Sequence, residues 1–526
     1  MATAMSNSSN RREMTFCTRM QPACILTLAL ALSAPALGQQ IPQRLEFDQE
    51  QNSAQPYQAA VGQHAERLPG LELPRVGHAA YEDIEVGPDA PDVSIEDRLD
   101  AIERAMLADD LADAKRNEAE ALKKALASKK PSLKWCGRIN MDYWAFPGSS
   151  PGANAFENGD PSEAPLDRFQ IRRARIGVLG EVCDNMLYRL DVDFNTPNNP
   201  QIKDCFIGWT ELPYLQTVLV GNQKRPYGLD AINSANVNFF MERPAVIDAF
   251  NQDLRRFGAQ SWSYSEDQAY NWRYGVFIGQ DIQNLGNVTT TPVNESFQGE
   301  LAGRFANTWW YDESSDGRGY GHWAISGALA DPDGDDPANN TARFRTRPEA
   351  RTTSRWLDTG PIDGADTYEL LGLEALINIG PFQAVAEYQQ IWVQRDGFAD
   401  TTFNGAYGYI SYVLTGEHIG WDRMTGQLGR IKPFENFFLV DTCGDDCEMG
   451  WGAWEVCARY SYCDLTSEDI EGGVSNETTL GMNWYWNEFT HMQFDYVHGV
   501  ISDRAPVAGY TAGSFDSIGA RFLVFF

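Results

Sequence analysis

Five arginines, Arg343, Arg345, Arg347, Arg351 and Arg355, fall within residues 342–360 (ARFRTRPEARTTSRWLDTG) of a 526-residue chain whose formal net charge is −31. On an extended strand Arg343, Arg345 and Arg347 share parity and project to one side, with Phe344 and Thr346 on the other. Guanidinium groups ~6.6 to 6.8 Å apart, twice the strand rise, offer successive donors to an oxyanion. Pro348 interrupts the run, so two readings stand: a ladder of anion sites, or a solvated loop carrying Arg351 and Arg355. A second group is Arg172, Arg173 and Arg175 in IRRARIGVLGEV, residues 171–182. If Ala174, Ile176 and Val178 form an apolar face, Arg173 and Arg175 point away from it and Arg172 shares its side. The alternative is a structural wall of alternating charge, with Arg189 paired to Asp191 or Asp193. A third group, Lys224, Arg225 and Arg243, lies among Asp230, Glu242, Asp248 and Asp253.

Other chemistry is sparse. HExxH, GxxxxGK[ST] and GxSxG do not occur, and the six histidines are scattered, so neither an enzyme nor a cofactor is indicated. The acid surplus argues against a nucleic-acid partner, because phosphate binding needs clustered surface cations. Asp331, Asp333 and Asp335 lack the downstream Gly and Glu of a calcium loop and read as an acidic loop. Seven cysteines follow the first segment: Cys136, Cys183, Cys205, Cys443, Cys447, Cys457 and Cys463. In CGDDC, residues 443–447, a small disulfide is favoured over a metal site, since no histidine or further thiol accompanies it.

The elements that would position these groups change along the chain. Residues 1–38 carry Arg11, Arg12 and Arg19 ahead of the apolar run ACILTLALALSAPALG, the order of a secretory signal peptide. Residues 39–93, rich in Gln, Pro and Gly, read as a flexible linker. Residues 94–130 read as a helix: Ile95, Leu99, Ile102 and Met106 recur at helical spacing, and Ser94 with Asp97 fits its start. That helix is either a short coiled coil, and so an oligomerisation stalk, or a single surface helix.

From residue 131 to the end the period becomes two. In MLYRLDVDFN, Met186, Tyr188, Leu190, Val192 and Phe194 oppose Arg189, Asp191, Asp193 and Asn195. The final strand, SIGARFLVFF, puts Ile518, Ala520, Phe522, Val524 and Phe526 on one face. Short turns such as Ile379-Gly380-Pro381 alternate with long polar loops such as 331–340. This is the pattern of an all-β, transmembrane antiparallel barrel of about 16 strands, each spanning with ~9 to 11 residues. In such a barrel lipid-facing arginines would cost roughly 2–4 kcal/mol each near the midplane. The arginine groups must therefore face water, either in the lumen or in outer loops that meet lipopolysaccharide. Glu374 and Glu387, equidistant from the Gly380-Pro381 turn, have inward parity and would attract cations unless an arginine offsets them.

Several stretches resemble the phosphate-selective porin O and P family: GNQKRPYGLDAINSANVNFFMERP at 221–244, the RTRPEA…RWLDTG order, IRRARIGVLGEV, YGYISYVLTGE at 407–417 and GAWEVCARYSYCDL at 452–465. The resemblance runs from about Trp135 to Phe526. It implies a sixteen-stranded outer-membrane barrel forming a homotrimer, a pore-narrowing loop at 223–254, and small anions such as phosphate as solutes. The anion-path candidates it suggests are Arg173, Arg175, Lys224, Arg225, Arg243, Arg343, Arg345 and Arg347. A general or cation-preferring pore is the first alternative, and a structural anchor carrying a periplasmic stalk the second.

Overall fold

The computed structural model describes residues 131–526 except 196–199, 253, 282–296, 335–339 and 442–446. The signal peptide, the linker, the 94–130 helix and Cys443 lie outside the described residues. Twenty-two strands follow in chain order: β1 (Lys134–Ser149), β2 (Arg168–Cys183), β3 (Met186–Asp193), β4 (Gln201–Leu212), β5 (Gln216–Lys224), β6 (Arg255–Tyr264), β7 (Tyr270–Ile278), β8 (Gly299–Tyr311), β9 (Gly319–Ala330), β10 (Arg345–Thr346), β11 (Leu357–Asp358), β12 (Ala365–Ile379), β13 (Phe382–Arg395), β14 (Thr401–Val413), β15 (Ile419–Asp422), β16 (Gln427–Ile431), β17 (Phe438–Asp441), β18 (Cys447–Gly450), β19 (Ala453–Ser467), β20 (Ile470–Asn487), β21 (Thr490–Arg504) and β22 (Gly513–Phe525). Sixteen of them close an antiparallel barrel by pairing β22 with β1, and the other six form three separate hairpins. Closure leaves no edge strand with unpaired backbone groups, the condition for spanning lipid with strands.

The period-two pattern dictates which side each residue takes. On β22, Ile518 is exposed on the outside, as is Phe526 just past its end, whereas Ser517, Arg521, Leu523 and Phe525 are buried within. On β3, Leu190 faces out, as does Phe194 just past its end, and Asp191 and Asp193 face in. The barrel interior is therefore lined with polar groups and is filled by segments that fold into it.

Two of these segments enter from the end opposite the barrel termini. Residues 225–254, between β5 and β6, bury Tyr227, Leu229, Ile232, Phe239, Phe240, Met241, Val246, Ile247 and Phe250. Residues 331–364, between β9 and β12, hold the β10–β11 hairpin. Phe344 joins the two, meeting Phe250 of the first segment at 5.9 Å and Phe403 of β14 at 5.7 Å between ring centroids. Parity within 343–347 is as the sequence suggests, since Phe344 and Thr346 are buried on one side. The three arginines do not lie on a wall strand, however. Pro348 and the short β10–β11 pairing turn this stretch into an in-folded loop, neither a ladder on the wall nor a freely solvated loop.

The third filling segment is unexpected from the sequence. Residues 414–452, between β14 and β19, lie at the end that carries the barrel termini, where a short turn is the usual connection. They contain the β15–β16 and β17–β18 hairpins.

Candidate functional site: a lumenal arginine cluster

The two arginine-rich stretches of the sequence meet inside the barrel. Arg172 and Arg173 enter from β2, and Arg347, Arg351 and Arg355 from the 331–364 loop. Arg172 is the residue that sequence parity misplaces. The β1–β2 register runs Asn140↔Arg173 and then Met141↔Ile171, so Arg172 is the extra residue of a β-bulge. The bulge turns it inward, where it grips Glu242 through two bonds of 2.8 and 3.0 Å. It does not share the side of Ala174, Ile176 and Val178 as its parity suggests.

Glu242 also accepts from Arg521 of β22, at 3.2 Å, and Arg521 is itself paired to Asp142 at 2.7 Å. One carboxylate of the 225–254 loop thus serves two arginines on two wall strands. Burial opposes the Glu242 charge, but Arg172 and Arg521 outweigh it and hold the carboxyl well below its ordinary range. Arg173, 8% exposed, makes no side-chain ion pair or hydrogen bond among the described residues. Arg351 makes none either. The charge of Arg172, with burial, lowers the Arg351 guanidinium to about 9. Arg347 is lowered by burial and by Arg355 and Arg172, against the pull of Asp248. Its Nε donates to the carbonyl of Thr352 at 3.0 Å. More positive charge gathers here than the local carboxylates neutralise.

The other candidates are engaged elsewhere. Arg175 pairs with Asp193 at 3.1 Å on the neighbouring strand. Arg189 pairs with Asp191 at 3.0 Å. Lys224 donates to the carbonyls of Ile232 and Asn233, bracing the inward loop from β5. Arg225 holds Glu300 of β8 at 2.8 Å, and Arg243 holds Asp230 at 2.7 Å within the loop. Arg343 pairs with Asp358 across the small hairpin at 2.5 Å, and Arg345 lies opposite the same Asp358.

The acidic residues on the far wall have a shared role. Glu374 and Glu387 are indeed cross-strand neighbours. Glu374 is offset by Arg304 at 2.7 Å. Glu387 accepts the backbone amides of Leu229 and Asp230, both at 2.8 Å, and the Tyr407 hydroxyl. Gly228 permits this approach: its φ of 81° lies in the left-handed region, which favours glycine. Asp495 of β21 accepts the amide of Met241 at 2.7 Å, and Glu477 of β20 that of Glu349 at 2.6 Å. Glu349 in turn takes Arg459 at 2.6 Å, with Ser461 and Thr479. At the outer end Glu157 accepts the amides of Thr353 and Ser354 and the indole N–H of Trp356. Wall carboxylates, together with Glu157 of the short helix Pro151–Asn158, are thus docking points for the in-folded loops.

Residues 134–526 match the family described as phosphate-selective porin O and P. The chain belongs to that family. An uncharacterized protein of Caulobacter vibrioides is 27% identical over 343 residues, 63% of this chain, and the chain spans 62% of that relative's length. Among solved structures, the trimer form of Vibrio cholerae OmpT is similar at a TM-score of 0.43 and 11% identity, covering 74% of this chain and 99% of its own. An anion-selective porin from Comamonas acidovorans gives 0.43 and 12%, with the same coverage. The outer-membrane channel DcaP of Acinetobacter baumannii gives 0.42 and 10%, covering 75% and 97%. Family and closed barrel together mark an outer-membrane protein of the porin type.

Sequence reasoning missed Arg172 and Glu349 as contributors, and missed the 414–452 segment. The signals were present in part. Glu349 stands alone between Arg347 and Arg351, and the gap between YGYISYVLTGE and GAWEV is far too long for a turn.

Proposed function

We propose that this protein is a passive outer-membrane pore for small anions, with oxyanions such as phosphate as the favoured class. The observation that carries the reading is the convergence of Arg172, Arg173, Arg347 and Arg351 from two distant stretches on one lumenal patch, with Arg173 and Arg351 unpaired among the described residues. An oxyanion there gains charge-assisted, bidentate donors without displacing a carboxylate. Glu242, already shared by two arginines, keeps the patch from being a pure anion trap, and moderate sites are what conduction needs. Arg175, Lys224, Arg225, Arg243, Arg343 and Arg345 contribute to this proposal as the positive surround, most of them through the pairs they hold.

The rival cation-preferring reading rested on Glu374 and Glu387, and both are consumed, by Arg304 and by loop amides. Assembly as a homotrimer, contact with lipopolysaccharide and export by the 1–38 signal belong to the same proposal; the migration of unheated against heated protein tests the first. The deciding experiment is the zero-current potential of the purified protein in a planar bilayer under a KCl gradient, followed by phosphate titration at fixed chloride. Anion-selective steps that phosphate blocks are expected. Cation-selective steps would overturn the anion reading, and a silent bilayer would favour an anchor.

A further inference from the structure

The β15–β16 hairpin is docked into the lumen by its backbone. Wall side chains donate to the carbonyls of its tip: Asn271 to Arg423 at 3.3 Å, Trp262 to Met424 at 3.4 Å, Arg273 to Thr425 at 3.1 Å and Arg304 to Gly426 at 3.4 Å. These donors come from β6, β7 and β8. On β9, Tyr320 stacks on Trp421 at 5.2 Å and gives its hydroxyl proton to the carbonyl of Ile419. Trp421 donates to Thr308 at 3.0 Å. At the hairpin's other side the Arg430 guanidinium lies 4.7 Å from the Phe525 ring of β22. The hairpin therefore crosses the barrel mouth from the β6–β9 wall to the base of β22.

Its tip also reaches the inward loop from below. Gln427 donates to the carbonyl of Ile232 at 2.5 Å, and the amide of Leu428 donates to the Asn233 side chain at 3.0 Å. The same two loop residues receive Lys224 from β5 on their other side. Residues 232 and 233 are thus held between a wall strand and the hairpin.

We propose that this hairpin is a buttress. It closes the β6–β9 half of the lumen at the end carrying the barrel termini, and it fixes the height of the constricting loop, confining solute to the lane along β1–β5 beside the arginine cluster. Every backbone carbonyl of residues 423–426 is taken by a wall donor, so the hairpin is a fixed part of the lumen wall, not a wandering turn. The inference rests on the pore reading above, and its failure can be told apart from that of the reading.

Two variants test it in planar bilayers beside the wild type. Removal of residues 420–430 opens the second lane, and the conductance step is expected to rise by about twofold with a loss of anion preference, because lumen bore and lining set both. The double variant Asn233→Ala, Gln427→Ala keeps the barrel and hairpin and frees the loop. Its zero-current potential should move toward zero while its heat resistance stays that of the wild type. A conducting wild type whose step and potential match those of the double variant, and of the deletion if it folds, overturns the buttress. A silent wild type beside a conducting deletion supports the buttress and overturns the open pore instead.

Discussion

The β1–β5 wall and the β12–β21 wall obey the same alternation and both present ionisable groups to the lumen, yet they end differently. On β13, β20 and β21 the charged groups are Glu387, Glu477 and Asp495, and each accepts a backbone N–H from an in-folded loop. On β2 the groups are arginines; a backbone N–H, itself a donor, cannot pair with them, and a backbone carbonyl can accept their hydrogen bonds but leaves their charge in place. Any loop brings amides by the dozen, whereas carboxylates able to neutralise arginine must be encoded one at a time, as Glu242 is. Loops therefore find most of their docking points on the acidic wall, and on the basic wall Arg173 keeps charge to spare although Arg172 and Lys224 also hold the inward loop. An acidic chain can present an arginine patch to its lumen because several of its lumenal acids are engaged elsewhere, by loop amides or by other arginines.

The sharpest way to break this contrast is to remove the carboxylate that the 331–364 loop itself supplies to Arg459 of β19. Glu349→Ala leaves Arg459 buried without its carboxylate, and breaking a buried pair costs about 3–5 kcal/mol. The closed barrel, which has its own ladder of strand pairs, should survive. The loss should appear locally, as proteolytic cleavage within 331–364 in intact, folded protein and as noisier, larger current steps. Wild-type protease resistance would mean that Glu349 is incidental and that Phe344 and Glu157 dock the loop without it.

On the basic wall the corresponding change is Arg173→Ala combined with Arg351→Ala. Hydrogen bonds to charged groups are worth about 1.5–3 kcal/mol, so phosphate block should weaken roughly tenfold or more. Because neither arginine holds a partner among the described residues, thermal stability should hold or rise slightly. Stability that falls while block is unchanged would place both residues in the structure and not in the path.

Much of this was legible in the residues, and the limits have physical causes. The lipid-facing parity of SIGARFLVFF and the Glu374/Glu387 pairing followed from period two and a two-residue turn, both local facts. The inward turn of Arg172 did not, because a bulge inserts one residue on one strand and flips parity with no mark in composition. The in-folding of 342–360 depends on Phe344 meeting Phe250 and Phe403, contacts between segments about 60 to 95 positions apart. The strand pattern of 419–431 looks like any short wall strand; only its place at the wrong end of the barrel distinguishes it.

A pH experiment sharpens the comparison at the outer end. Burial raises the Glu157 carboxyl, but the amides of Thr353 and Ser354 with Trp356 and Arg168 outweigh it, so its folded value lies below the ordinary one. A group depressed on folding contributes stability above its unfolded value and loses it as pH falls through the folded value. The clamp on residues 353–356 should therefore hold at neutral pH and release only in acid, below the ordinary glutamate range. Glu157→Gln should show the released behaviour at neutral pH and lose the acid transition, as read by protease access to the loop. A transition that persists in Glu157→Gln would assign it to another carboxylate.

The smallest effect belongs to Arg343, the first residue of the supposed ladder. Its side chain is 38% exposed and its partner Asp358 lies across a two-residue hairpin. Hydrogen bonding to Asp358 raises the guanidinium further, which marks a satisfied pair and not a site waiting for an anion. Exposed pairs contribute about 0–1 kcal/mol. Arg343→Ala should thus leave loop docking, conductance and phosphate block within error, in contrast to Arg173→Ala with Arg351→Ala. A clear loss of anion preference in Arg343→Ala would extend the path outward past Asp358, and the basic wall would have to be redrawn to include the mouth.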